Sequence, residues 1–239
     1  MTAILRSLFF LSATFIFLSG SAQAPGTDLA LNHNRLLREK TGDGVYKQIG
    51  NFKVVGTPYL FGEKNKGNLF SPDGTKAYNI FLSYNTYNQD IEFYSSSNPD
   101  KPLVKEPGEA DSFFIQPNIE IGILSPLKFV YGTAIGSSEK GFYQEVFAGK
   151  RFGIYKKYKS ELGYVSTNYI QSELRQFDLV FDYYYSDAEK KTVKKIKANN
   201  SNVIKEFKSI KDLSGLVSND AFSASPDEAF KKIFENLNN

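Results

Sequence analysis

Residues 56–94 read GTPYLFGEKNKGNLFSPDGTKAYNIFLSYNTYNQDIEFY, and their pattern decides the fold. Ile80, Leu82 and Tyr84 fall on one face of an extended segment, with Asn79, Phe81 and Ser83 on the other. Ile91 and Phe93 then alternate with Glu92 and Tyr94. A period of two residues is the signature of half-buried strands. Ser71-Pro72-Asp73-Gly74 is a turn, because proline presets φ and glycine supplies a positive φ. The polar run from Tyr84 to Asp90 is a second connection. Lys66–Ser71, Lys76–Tyr84 and Asp90–Ser95 are therefore predicted to form an antiparallel meander.

Outward from this meander, strand signals continue on both sides. Gln48–Val55 reads as a strand that stops at Gly56 and Pro58. Pro99, Pro102 and Pro107 confine Leu103-Val104 to a short edge strand, since proline donates nothing to a ladder. Ser112–Gln116 is a compact strand, followed by the apolar runs Ile119–Leu124 and Leu127–Tyr131 and a loop over Gly132–Lys140. Gly141–Tyr158 is a second hairpin turning at Ala148-Gly149-Lys150. Phe177–Tyr185 and Thr192–Lys197 form a third around Asp187-Ala188-Glu189-Lys190.

From Asn199 the period becomes helical. Val203, Ile204, Phe207 and Ile210 make an amphipathic stripe, continued by Leu213, Leu216 and Val217. Ser225-Pro226-Asp227-Glu228 reads as a helix start with a capping serine, proline at the first helical position and a capping box. Ala229, Phe230, Ile233, Phe234 and Leu237 form its apolar face. The predicted fold class is α+β: a mainly antiparallel curved sheet or incomplete barrel with two or three C-terminal helices. The predicted divisions are a signal peptide at 1–22, a leader at 23–49 that fits a docked or an undocked arm, a β-rich domain at 50–198, and helices at 199–239 packing on the sheet.

The signal peptide is read from Arg6, the apolar run Leu8–Leu18 and the small residues at 19–22, with cleavage expected near Ala22. The apolar run is shorter than the ~20 residues that a membrane span needs. The chain has 239 residues and no cysteine, so disulfides, a cysteine nucleophile and thiolate zinc sites are excluded. A hydrophobic content of 41%, with 15 Tyr and 21 Phe, lets an exported chain rely on its core instead. Net charge is +3, or +2 once Arg6 is removed with the signal. That balance carries no nucleic-acid or anionic-membrane signal.

The order of these signals resembles a family of uncharacterised exported proteins common in Bacteroidota. The residues that carry the resemblance are Gly56-Thr57-Pro58-Tyr59-Leu60, Leu82–Asn88 with Ile91-Glu92-Phe93, Tyr143–Lys150 running into Ile154–Tyr158, the Tyr183–Tyr185 strand and the lysine-flanked helical tail. It covers about Gly50 to the C-terminus. This chain departs from the pattern at Phe147 and at Gly153-Ile154, where leucines are usual. The resemblance implies an exported β-plus-helix protein of the cell envelope and brings no catalytic residues.

No catalytic, metal or cofactor site emerges from the residues themselves, and the binding residues stay unknown. His33 is the lone histidine, too few for an imidazole metal site. Asp178 and Asp182 share a strand face, but four residues of strand hold them roughly 13 Å apart at ~3.3 Å per residue, against the ~5–5.5 Å of a retaining glycosidase. Glu106, Glu109 and Asp111 form an acidic loop without EF-hand spacing. Lys190, Lys191, Lys194, Lys195 and Lys197 are the densest basic cluster, read as a solvated hairpin surface or a contact for an anionic envelope polymer. Tyr84, Tyr87, Tyr94, Tyr143, Tyr155, Tyr158 and Tyr183–Tyr185 are expected in or beside the core, with a sugar- or peptide-binding platform as the other use of such rings. The expected function is a non-enzymatic binding or structural module of the envelope. Its partner is an unknown envelope protein or polymer, with no nucleic acid and no transmembrane span. The alternative is a carboxylate-based hydrolase of envelope carbohydrate or peptide.

Overall fold

A computed structural model describes residues 38–40, 46–48, 53–95, 98–164 and 174–239. The expected signal peptide, His33 and most of the leader lie outside the described residues. Within the leader, β1 (Arg38–Lys40) and β2 (Tyr46–Gln48) pair as a small antiparallel ribbon. Of the strand expected over Gln48–Val55, Gln48 falls in β2 and Lys53–Val55 is β3, while 49–52 lie outside the described residues.

The meander is β4 (Tyr59–Phe70), β5 (Lys76–Asn85) and β6 (Asp90–Ser95). Its first turn forms as expected, with Gly74 N–H donating to Ser71 O at 3.0 Å and Gly74 at φ 81°. β7 (Asn98–Lys105) is an edge strand on β6. β8 (Ser112–Ile115) and β9 (Leu127–Tyr131) pair antiparallel. The apolar run between them is not a strand. Ile119–Ile121 is a 3₁₀ turn, because Asn118 caps it and Gly122 takes a left-handed φ of 78°. β10 (Phe142–Ala148) and β11 (Phe152–Tyr164) make the second hairpin; β12 (Leu174–Asp187) and β13 (Thr192–Ile196) make the third.

These strands form one open sheet of eleven, in the order β13-β12-β11-β10-β9-β8-β4-β5-β6-β7, with β3 added beside β12. The β3–β12 pair is parallel, so the sheet is mixed rather than purely antiparallel. β4 carries a large bulge. Leu60 faces Tyr84 and Asn65 faces Leu82, so five steps on β4 match two on β5. Phe61, Gly62 and Lys64 absorb the surplus at positive φ. The Thr86 turn then ties β5 and β6 to β11. Thr86 N–H and Oγ1 donate to Pro58 O at 2.9 and 2.8 Å, and Ser160 N–H donates to Thr86 O at 3.2 Å.

That tie curls the sheet around its first core. Tyr84, Phe113, Phe129 and Phe142 are fully buried there with Leu60, Leu82 and Ile91. Phe113 and Phe129 stack at 4.5 Å. A second core lies under the helices α1 (Asn200–Phe207), α2 (Asn219–Ala224) and α3 (Pro226–Leu237). It joins Phe152, Ile154, Tyr183 and Tyr185 of the sheet to Phe207, Phe230 and Phe234. The helices therefore pack on the sheet, as their apolar faces require; each buried Phe is worth about 1.5–3 kcal/mol.

Two helical expectations need correction. The stripe is one continuous helix only to Phe207; Leu213 and Val217 are buried in the same core from irregular chain. Ser225 does precede α3, but its side chain makes no cap hydrogen bond. Its N–H instead closes α2 by donating to Ala221 O at 2.9 Å.

Candidate functional site

β11 alternates between two environments. Phe152, Ile154, Lys156 and Tyr158 are on the core side, and Tyr155, Lys157 and Lys159 on the outer side. A groove of about 360 Å³ opens on the outer side. Lys157, Lys159 and Glu161 of β11 face Val180, Asp182 and Tyr184 of β12 across it, and Tyr87, Gln89, Glu139 and Lys140 close one end.

The groove is built from paired charges on an aromatic base. Lys157 Nζ contacts Glu139 Oε2 at 2.7 Å and lies 4.9 Å from the Tyr143 ring centroid. Tyr143 packs edge-on to Tyr184 at 5.4 Å. Burial pushes the Tyr143 phenol up to about 12, and burial likewise raises Tyr184. Lys159 pairs with Glu161 at 2.9 Å, and Asp182 with Lys195 at 2.7 Å. The hydrogen bond to Asp182 raises the Lys195 ammonium. Gln89 braces the end wall, donating to Thr86 O and Tyr158 O and accepting from Tyr84 O–H at 2.7 Å. Val180 remains 41% exposed and gives the groove its apolar surface, while the Phe181 ring lies on the opposite face of β12 beside Tyr158.

Glu139, Glu161 and Asp182 each hold a lysine, whereas carboxylate hydrolysis needs a protonated acid facing an ionised partner. Asp178 lies opposite Glu161 and accepts from Gln176 Nε2 at 2.8 Å, separately from Asp182. The Glu106–Asp111 loop closes on itself, Glu106 N–H donating to Glu109 Oε2. No metal-holding group of three or more acids or histidines occurs among the described residues. In the lysine cluster, Lys190 reaches Asp187, Lys194 reaches Glu206 and Lys195 reaches Asp182. Of the tyrosines, Tyr84, Tyr94, Tyr143, Tyr155, Tyr158, Tyr183 and Tyr185 are buried; Tyr87 and Tyr184 are half-buried at the groove.

Two ionisable clusters escaped the sequence reading. Asp90 and Glu92 share the face of β6 opposite Ile91, and both are buried. Tyr59 O–H donates to Glu92 Oε1 at 2.7 Å. Burial first, then Glu92's charge, pushes the Asp90 carboxyl up to about 7. The i, i+2 spacing beside Tyr94 was the available signal. The second is Lys156, held by Asp227 at 2.7 Å and set 4.8 Å from the Phe181 ring and 5.2 Å from Tyr183. Tyr183 O–H also donates to Asp227. Together with Tyr158 O–H donating to Gln144, this forms a polar layer between the two cores. The first cluster is buried, and the second reaches the surface at Asp227; both tie neighbouring elements together.

No family model matches the chain, and no curated protein or solved structure matches it.

Proposed function

We propose that this chain is an exported, non-enzymatic binding module of the cell envelope whose ligand site is the groove between β11 and β12. The observation that carries the reading is the pairing of every groove carboxylate with a lysine beside a core filled by aromatic rings. A site of that composition offers paired charges of both signs, half-buried aromatic edges and a little apolar surface. It suits a polar polymer that itself carries both charge signs. The N-terminal pattern over 1–22, the absence of cysteine and the resemblance described above support export.

Purified peptidoglycan is the probe. Pelleting with insoluble sacculi is expected for the native protein and is expected to weaken about tenfold when Lys159→Glu and Val180→Glu are combined, roughly 1.4 kcal/mol. Equal pelleting of the variant, or none by the native protein, rejects this ligand site. Export is checked by fractionation: a cytoplasmic chain that retains residues 1–22 rejects it.

A further inference from the structure

The loop from Pro117 to Pro126, joining β8 to β9, carries three exposed aliphatic side chains. Ile119 and Leu124 are each 81% exposed and Ile121 is 42% exposed. Between them Ile123 is buried and belongs to the core inside the curled sheet. The loop is thus fastened by one aliphatic residue and displays three others to water. Exposing three such groups on one short loop is a cost that folding alone does not require.

We propose that this loop is an interfacial anchor, which sets Ile119, Ile121 and Leu124 into the surface of a phospholipid bilayer. Three observations favour lipid. First, much of the tip's backbone pairs within the loop. Asn118 N–H donates to Ile123 O at 2.8 Å, Ile123 N–H to Asn118 O at 2.9 Å, and Gly122 N–H to Ile119 O at 3.1 Å. Asn118 Oδ1 accepts from Glu120 N–H at 3.1 Å. Hydrocarbon offers no replacement for lost water, so each hydrogen bond closed within the loop lowers the cost of entry. Second, the displayed groups are purely aliphatic. Protein contacts favour Tyr, Trp and Arg at their centres, and none of these is in the loop.

Third, lysines stand at the base of the loop. Gln116 N–H donates to Lys66 O at 2.8 Å, which sets exposed Lys66 beside the base, and Lys128 follows on β9, paired with Glu145 at 2.8 Å. Ammonium groups behind an apolar tip suit the phosphate level of a bilayer, where their stems lie along apolar surface. Glu120 stands in the same turn. At about three residues per turn, its side chain leaves the helix roughly 120° from those of Ile119 and Ile121, so a shallow insertion leaves its charge among the headgroups.

The chain contains no tryptophan, so a single introduced one reports on the tip without background. Leu124→Trp in the full chain is mixed with vesicles of phosphatidylethanolamine and phosphatidylglycerol, plain or bromine-labelled in the acyl chains. A blue-shifted emission quenched by the labelled lipid is expected. Asp73→Trp, in the exposed Ser71–Gly74 turn, is expected to show neither. Adding Ile119→Ser and Ile121→Ser to Leu124→Trp is expected to raise the lipid concentration for half-maximal shift at least tenfold. Both side chains are exposed, and an unchanged circular dichroism spectrum confirms that the fold is kept. Leu124→Trp emission that vesicles do not move, equal quenching of the two tryptophans, or an unaltered half-maximal concentration overturns the anchor. The first of these outcomes would assign the tip to a protein partner instead.

Discussion

Asp90 is a buried carboxylate with an electrostatic penalty. Its carboxyl is 5% exposed, Oδ1 has no hydrogen-bond partner among the described residues, and its pKa stands at about 7. In the unfolded chain the group returns to the ordinary range near ~3.9. The folded state therefore holds the proton more tightly. The stability this gives is fully present below about pH 4 and is lost as pH rises through about 7. Asp90→Asn is expected to stabilise the protein at pH 8 by on the order of 2–4 kcal/mol and to have much less effect at pH 4. Urea denaturation at the two pH values checks this; equal shifts at both would contradict the raised pKa. Lys156, by contrast, is buried with a carboxylate partner, Asp227. Asp227→Ala leaves a buried ammonium against aromatic rings. It is expected to cost about 2 kcal/mol, below the usual 3–5 because Asp227 is partly exposed. Lys156→Met with Asp227→Asn is expected to recover most of that loss in the same assay.

At the scale of elements, the helix ends separate a recognisable sequence signal from the bond it usually implies. Asn199 caps α1, accepting from Asn202 N–H, and Ser218 caps α2, accepting from Ala221 N–H. Asn199→Ala is expected to cost about 1 kcal/mol. Ser225→Ala is expected to change thermal stability by less than ~0.5 kcal/mol, since no side-chain cap is lost there. Asn238 is a stronger fastening. Its Oδ1 accepts from Arg151 and Phe152 N–H, and its Nδ2 donates to Phe152 O and Phe234 O. Asn238→Ala removes three hydrogen bonds to the β10–β11 turn and one back to α3, and is expected to lower stability by about 1–3 kcal/mol, read from a melting curve. These cases show what was legible. Alternation at Ile80–Tyr84 and Ile91–Phe93 located β5 and β6, and the face from Ala229 to Leu237 located α3, because burial and period agree there. The 3₁₀ turn at Ile119–Ile121 was hidden because three aliphatic residues look like a strand until the cap at Asn118 and the left-handed Gly122 are known. The β4 bulge was hidden because its surplus residues are only surplus relative to β5.

For the molecule as a whole, the sequence divides at residue 198 where the packing does not. The helical segment supplies one wall of a core whose other wall is Phe152, Ile154, Tyr183 and Tyr185. Deleting Asn199–Asn239 is expected to expose that wall and cause aggregation; a soluble, well-folded truncation, seen by size-exclusion chromatography and circular dichroism, would show the sheet to be self-sufficient. The groove was not legible beforehand. Its lining comes from a turn, a loop and two strands distant in sequence, and the Thr86–Ser160 tie with the Gln89 bond to Tyr158 O brings Tyr87 and Gln89 beside Lys159 and Glu161.

The alternation along β11 joins these surfaces mechanically. Lys156 grips α3 on one side of the strand while Lys157 and Lys159 line the groove on the other, with one peptide unit between neighbours. A strand cannot shift on one side alone. On the proposed reading, a ligand that stiffens the groove is expected to slow release of α3, seen as protection of the helix from exchange or cleavage. The helical tail becomes a remote gauge of whether the groove is filled.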